Sequence, residues 1–220
     1  MTMDTKALLA EAEALKPQLL TDRRTLHRDP EVGPSLPHTA AYVTERLTAL
    51  GYTPRSLAGG VVADITGEDT GRCVLLRADM DALRVREATG LDFQSENGAM
   101  HACGHDAHTT CLLGAAKVLN AHRADFGGEV RFLFQPAEEI GQGARPLIAA
   151  GMLDGAQHVF GLHTASDLPA GTVGVKPGAN NAGVDHFIIR IHGKSAHVST
   201  PQLGVDALYI ASELVVALQS

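Results

Sequence analysis

The chain has 220 residues, 45% of them hydrophobic, and a formal net charge of −7 at pH 7. This length is enough for one substantial core, or for one large and one small core. The negative charge, with no basic run longer than the Arg23-Arg24 pair, excludes the electrostatic surface that nucleic-acid binding requires.

Helical patterns dominate the first fifty residues. Leucine and alanine recur at helical spacing from 7 to 27, and Pro17 should restart the helix there, since proline suits a first helical turn. A second helix is predicted over 40–50, with Gly51 at the position of a left-handed C-terminal cap.

Short apolar runs and helical patterns then alternate. We predict strands at Val61–Ile65, Cys73–Ala78, Val130–Phe134 and His158–Leu162, and helices at Ala107–Leu119 and Gly143–Ala150. This alternation indicates an α/β fold with a mostly parallel sheet covered by helices on both faces. Ligands of such sheets gather beyond the carboxyl ends of the strands.

The pattern changes after Gly178. Residues 185–192 (DHFIIRIH) predict a strand, the following GKSAHVSTPQLG a loop, and Val205–Leu218 an amphipathic helix. We therefore expect a first domain over 1–182 and a second over 183–220. A single strand and helix form half of a small α/β unit and should not be stable alone, so we expect the second domain to be incomplete.

The cysteines and the N-terminus predict a cytoplasmic protein. Three cysteines are an odd number, which argues against a disulfide framework and for a reducing compartment. Acidic residues interrupt the first twenty residues, where a secretory signal needs a basic start and an unbroken apolar stretch. No apolar run approaches the roughly 20 residues needed to cross a bilayer.

The segment NGAMHACGHDAH carries residues typical of a metal site. Cys103 and His105 flank one glycine just before a predicted helix. They offer the thiolate and imidazole that borderline-soft divalent metals select. A buried structural cysteine beside a hydrogen-bonded histidine is the plainer alternative, and His101 and His108 add further candidate ligands without deciding between them.

Two more predicted strands are followed by metal-type side chains. Pro136 should end one strand, so that Glu138 and Glu139 lie in an irregular segment and point in different directions. One carboxylate could then bind metal while the other takes a proton from water. His163 closes the apolar run HVFGLH. A solvated acidic turn and a core histidine are the alternatives.

Three other residues are weaker candidates. Asp79 and Asp81 lie two residues apart at the end of a predicted strand, where they could cap a loop, bind metal or orient a ligand histidine. His197 lies in the second unit, where it could be an ordinary surface histidine. Metal-type residues in five separate segments favour a metal site over five coincidences.

The sequence also resembles a known family, the metal-dependent aminoacylase and carboxypeptidase peptidases. The resemblance is to the amidohydrolase branch that includes hippurate hydrolase, indoleacetyl-amino acid hydrolases and N-acetyldiaminopimelate deacetylases. It spans residues 22–207 and is carried by DRRTLHRDPEVG, LLRADMDAL, NGAMHACGHDAHTTCLLGAAKVL, VRFLFQPAEEIGQGA, FGLH and GKSAHVSTPQLGVDAL.

The resemblance implies a two-metal centre. Its protein ligands would be Cys103, His105, Glu139 and His163, with zinc, manganese, cobalt or nickel as possible ions. Glu138 would be the general base, and Asp81 would support the site from behind the ligands. The wider family has H-x-D where this chain reads Asp79-x-Asp81, and in this branch His105 is expected to compensate.

The family fold is a zinc-peptidase-like α/β domain with an inserted α+β lid domain that forms homodimers. His197 matches a lid histidine that would stabilise the oxyanion of the partner subunit's reaction. Family members are nearly twice as long and bring a further histidine ligand, so we expect this chain to be the N-terminal part.

The predicted function is metal-dependent cleavage of N-acyl amino acids, small-molecule substrates, by water that Glu138 deprotonates. A truncated, catalytically inactive metal-binding or interaction protein of the same fold is the alternative. A cysteine hydrolase using Cys103 and a nearby histidine would leave the acidic pair and His163 unexplained.

Overall fold

The computed structural model describes residues 4–219, except for the side chain of Asp69. The chain forms two compact units, Met1–Asp167 and Leu168–Ser220. Among the helices in the described range, none combines the length and apolar character needed for a bilayer crossing.

The first unit alternates helices and strands in the predicted order. Its elements are α1 (Thr5–Ala14), α2 (Lys16–Arg28), α3 (Pro37–Ala49), β1 (Arg55–Leu57), β2 (Gly60–Thr66), β3 (Glu68–Asp79), α4 (His105–Ala121), β4 (Gly127–Gln135), α5 (Ala144–Ala149) and β5 (His158–Gly161). Pro17 lies in the first turn of α2, and Gly51 follows α3 with a φ of +86°. Both helix boundaries are therefore confirmed.

The five strands form one sheet in the order β1-β2-β4-β3-β5. β3 is parallel to both of its neighbours, β4 and β5. β2 is antiparallel to β4 and to β1, so only β2 runs against the common direction. The predicted α/β class with a mostly parallel sheet is confirmed.

Helices cover both faces of the sheet, as the alternation along β2 shows. Val61, Ala63 and Ile65 pack in a core with residues of α3 and α4. Val62 points the other way, into a smaller core with Leu147 of α5. This alternation is the expected consequence of successive strand side chains pointing to opposite faces.

Two features of the sheet place the functional residues. The carboxyl ends of β3, β4 and β5 lie at the same edge, because these three neighbouring strands are parallel. Residues 80–104, between β3 and α4, contain no helix or strand. Within this segment, one isolated β-bridge joins Leu83 to Met100. The candidate site residues therefore lie at this edge, some at strand ends and others in the irregular segment.

The second unit contains a 3-10 turn, Pro201–Leu203, and helix α6, Ala207–Ala217. The Asp206 carboxylate caps α6 by accepting the backbone N–H groups of its first turn, which confirms the predicted helix. The predicted strand at 185–192 is wrong, because no other described segment of this unit pairs with it to supply ladder hydrogen bonds. The division into domains at residue 182 stays a prediction.

Candidate metal centre

The edge of the sheet brings the four predicted ligands together with Glu138. The ligand atoms of Cys103, His105 and His163 lie within 4.8 Å of one another, and so do those of His105, Glu138 and Glu139. His105 belongs to both groups. The structure therefore joins one loop and the segments after two parallel strands into a single cluster around one imidazole.

His105 is fully buried and presents one ring nitrogen to the acidic pair. Its Nδ1 donates to the backbone carbonyl of Asp81 at 2.8 Å, which leaves Nε2 3.7 Å from Glu139 Oε1 and 3.8 Å from Glu138 Oε2. Nε2 of His105 and Oε1 of Glu139 are both buried and have no hydrogen-bond partner within the described part of the chain. Two ligands about 2.1 Å from one cation are roughly 3.4 Å apart at a tetrahedral angle, so a divalent ion fits between these atoms.

Cys103 and His163 form the other side of the cluster. The Cys103 Sγ lies 3.3 Å from Nε2 of His163, and Nδ1 of His163 donates to the carbonyl of Thr164 at 2.6 Å. Both ligand-type histidines thus fix Nδ1 on a carbonyl and turn Nε2 inward. This is the usual arrangement of metal-binding histidines, whose second nitrogen is held by a hydrogen bond.

The turn after β4 aims both carboxylates at His105. Ala137, buried, has a left-handed backbone with a φ of +54°, a conformation that non-glycine residues rarely adopt. The Asp81 carboxylate accepts the backbone N–H groups of Glu138 and Glu139, at 3.1 Å each. The two acidic side chains therefore converge, whereas adjacency alone predicted that they would diverge.

Gly104 makes the close approach of Cys103 and His105 possible. It has a φ of +91°, and a Cβ built there would lie 2.6 Å from Thr164 Oγ1. That hydroxyl donates to the Cys103 carbonyl at 2.9 Å. The glycine is needed both for its backbone conformation and for space.

Asp79 and His108 form a buried pair beside the cluster. Asp79 receives His108 Nδ1 at 2.6 Å and Arg77 Nη1 at 2.7 Å. Burial opposes ionisation of Asp79, but the hydrogen bond from His108 and the charges of Arg77 and His105 outweigh it and lower its pKa to about 2. Asp79, His105 and His108 are close enough to share an ion, yet Nε2 of His108 already accepts the Thr164 backbone N–H at 2.8 Å. His108 is therefore better suited to hold Asp79 than to bind metal.

The pKa values of three residues in the cluster are raised above their ordinary values. Burial, followed by the Glu139, Glu138 and Asp79 carboxylates, raises the pKa of Cys103 to about 11. Burial also raises the pKa of Glu139. Burial acts to lower the pKa of His105, but the Asp81 hydrogen bond and the nearby carboxylates raise it overall. A divalent cation would replace these protons and relieve the repulsion.

The same shift argues against Cys103 as a catalytic nucleophile. A nucleophilic cysteine needs a lowered pKa, which places thiolate at neutral pH. Here the pKa is raised to about 11. The cysteine-hydrolase interpretation is therefore disfavoured.

Two histidines considered as site candidates, His101 and His197, lie outside the groups that could hold a metal. Burial lowers the pKa of His101 to about 4, and neither of its ring nitrogens has a hydrogen-bond partner among the described residues. His197 is exposed in the second unit, where its Nδ1 accepts the Ser199 backbone N–H at 3.2 Å. The supporting roles of Ala137 and Thr164 carried no signal in the sequence.

Comparison with known proteins gives concordant matches. Residues 75–219 match the profile of peptidase family M20/M25/M40. The chain is 44% identical to the N-acetyl-L-cysteine deacetylase of Bacillus subtilis, covering 100% of this chain and 54% of that protein. It is 42% identical to the N-acyl-L-amino acid amidohydrolase of Geobacillus stearothermophilus, covering 94% of this chain and 57% of that protein.

A solved structure agrees with this fold. The YXEP protein of Bacillus subtilis, described as a dinuclear metal binding peptidase from the M20 family, superposes with a TM-score of 0.72 at 43% identity. The match covers 74% of this chain and 47% of that one. The chain thus spans about half the length of the relatives it matches.

Proposed function

The chain belongs to peptidase family M20/M25/M40, and we propose that it takes part in metal-dependent hydrolysis of N-acyl amino acids to a carboxylate and a free amino acid. The observation that carries the proposal is the convergence of Cys103, Glu138, Glu139 and His163 on the unpartnered Nε2 of His105. The named activities of the deacetylase and amidohydrolase relatives support the substrate class.

The proposed ligands of two divalent ions are Cys103, His105, Glu139 and His163. When bound, such ions would acidify water and polarise the scissile carbonyl. The mixed sulfur, nitrogen and oxygen donors suit zinc, manganese, cobalt or nickel, and the dinuclear description of the similar Bacillus structure supports the number of ions.

Glu138 is the proposed general base and proton carrier. Its side chain is 39% exposed, against 16% for Glu139, so it can meet water and substrate while its neighbour faces inward. The carboxylate would take a proton from the attacking water and pass it to the leaving amine nitrogen. Asp81 would keep this geometry by holding the backbone of both glutamates.

His197 is the proposed oxyanion donor toward a second copy of the chain. Its Nδ1 accepts a backbone N–H, so the neutral ring carries its proton on Nε2, which can donate to a developing negative charge. Homodimerisation through residues 183–220 is part of this proposal. A cytoplasmic location is also proposed, on the basis of the three free cysteines.

The test is turnover of N-acetyl and N-benzoyl amino acids by the 220-residue chain loaded with zinc, manganese, cobalt or nickel, measured as released amine. Glu138→Gln should retain metal and lose about 100-fold or more of the activity. Glu96→Gln is the matched control, since Glu96 is exposed and outside the cluster. Full activity of Glu138→Gln would overturn the assigned base, and metal binding without any turnover would support the inactive alternative.

A further inference from the structure

A second buried polar cluster adjoins the segment that carries Cys103 and His105. Its central residue is His27 of α2, which is 3% exposed. His27 Nδ1 contacts Asp106 Oδ2 at 2.8 Å, and its Nε2 contacts Glu87 Oε1 at 3.2 Å. One imidazole therefore joins two carboxylates that are both fully buried.

The two carboxylates lie on either side of Cys103 and His105 in the sequence. Asp106 directly follows the ligand His105 in the first turn of α4, and Glu87 lies near the start of residues 80–104. Backbone hydrogen bonds such as the Leu83–Met100 pair fix part of this segment, and side-chain contacts hold the remainder. His27 links Glu87 to Asp106, and this link restricts the loop that carries both ligands.

Each end of this bridge is itself well anchored. Asp106 also accepts Arg23 Nε at 3.0 Å and the Ala107 backbone N–H at 2.9 Å. Glu87 also accepts the Ser95 backbone N–H at 2.7 Å. Burial opposes ionisation of Glu87, but its hydrogen bonds hold its pKa below the ordinary value.

Phe93 closes the cluster from within the irregular segment. Its ring meets the His27 imidazole edge-on, with centroids 5.4 Å apart, and the guanidinium carbons of Arg23 and Arg24 lie 5.7 and 4.9 Å from its centroid. Such contacts add to the energy of fixing the segment against α2. Helix α2 therefore contacts the ligand loop without contributing a ligand.

We propose that His27 is a positioning residue of the metal centre, holding the Cys103–His105 loop in its ligand geometry by bridging Glu87 and Asp106. The inference rests on the proposed metal centre and goes beyond its ligands. Groups behind the ligands that fix their position change metal affinity by about 10- to 100-fold when removed. Loss of the bridge should thus weaken metal binding even in a chain that stays folded.

The experiment measures Co²⁺ binding to the full chain by competition with a chelator and by the sulfur-to-cobalt charge-transfer absorption. His27→Ala should bind Co²⁺ about 10- to 100-fold more weakly, with an altered charge-transfer band. Glu87→Gln keeps the shape of the bridge and should lose about threefold or more, so it tests the inference if His27→Ala does not fold. Val43→Ala is the control, because it should cost stability in the α3 core while leaving affinity and spectrum unchanged.

The outcomes separate the two proposals. Absence of any thiolate charge-transfer band in the unmodified chain would contradict the proposed metal ligands. The positioning role alone would be overturned if the unmodified chain showed a normal band and a folded His27→Ala or Glu87→Gln variant had the same spectrum and an affinity within about twofold of it. An equal loss of affinity in Val43→Ala would also overturn it, since general destabilisation would then explain the effect.

Discussion

Metal uptake should release protons, and Cys103 should contribute about one of them. Its pKa is raised to about 11 by burial and by the neighbouring carboxylates, so at pH 7.5 only about three thiols in ten thousand are ionised. Only the thiolate is a good metal ligand. Deprotonation at that pH therefore offsets about 5 kcal/mol of the intrinsic binding energy.

The apparent affinity should rise with pH for the same reason. Below the pKa of Cys103, each pH unit should strengthen binding about tenfold through this residue alone. His105 and Glu139, whose pKa values are also raised, should add to the release. We expect a total release of at least about one proton per cluster at neutral pH.

The measurement is isothermal titration calorimetry with Zn²⁺ in buffers of different ionisation enthalpy, with chelator competition from about pH 6.5 to 8.5. Cys103→Ser should bind more weakly and release about one proton fewer. Cys111→Ser is the matched control, because Cys111 lies on α4 outside the ligand groups. If Cys103→Ser and the unmodified chain released the same number of protons, the assignment of Cys103 as a thiolate ligand would be refuted.

Three further changes test the supporting structure. Gly104→Ala should lower the free energy of unfolding by more than the roughly 1–2 kcal/mol of left-handed backbone strain, and it should weaken Zn²⁺ binding. Gly98→Ala is the control, because Gly98 has a φ of +85° but open space around the new Cβ, so it should show only the strain. Urea unfolding and chelator competition compare the two variants, and equal effects would contradict the clash at Gly104. Tyr52→Phe removes the hydroxyl that donates to the Ala116 carbonyl at 2.8 Å and should lower the free energy of unfolding by about 1 kcal/mol. An unchanged midpoint of urea denaturation would contradict this prediction. The pKa of Asp79 is lowered from 3.8 to about 2, so its contribution to stability is complete above pH 4 and is lost as the pH falls towards 2. Asp79→Asn should lower the free energy of unfolding by at least about 2 kcal/mol at pH 7 and flatten its dependence on acid pH. An unaltered acid profile of unfolding would argue against this role.

The sequence predicted the parallel part of the sheet well, for reasons that are local. Each of these strands is an apolar run with a marked end: β4 stops at Gln135 because Pro136 follows it, and β3 ends at Asp79. Once three strands are parallel neighbours, the residues after their carboxyl ends must meet. The convergence of Glu138, Glu139 and His163 could therefore be expected without coordinates.

Apart from the Gly51 helix cap, the left-handed backbone positions that shape the fold were not predicted. The β1–β2 hairpin turns on Ala58 and Gly59, both with positive φ, and these two residues are not the Asn-Gly or Asp-Gly pair typical of such turns. Ala137 is a second case, and its left-handed backbone reverses the expected direction of the acidic pair. The wrong strand at 185–192 shows the opposite failure, since an apolar run predicts a strand only where a partner strand exists.

The burial of His27 and Glu87 was equally hidden, because polar residues in helices and loops are usually exposed. Their contacts help to hold the loop of the proposed metal ligands, which has little regular structure. Hydrogen bonds from Arg23 and His27 of α2 hold Asp106, the residue after His105, whereas His105 Nε2 and Glu139 Oε1 have no hydrogen-bond partner among the described residues. Contacts within the protein thus orient the loop. A bound cation would offset the energetic cost of burying the unpaired polar atoms and charges of the ligand cluster. Metal binding should accordingly stabilise this loop more than the core around α3, since His105 Nε2 and Glu139 Oε1 both lie in the ligand cluster.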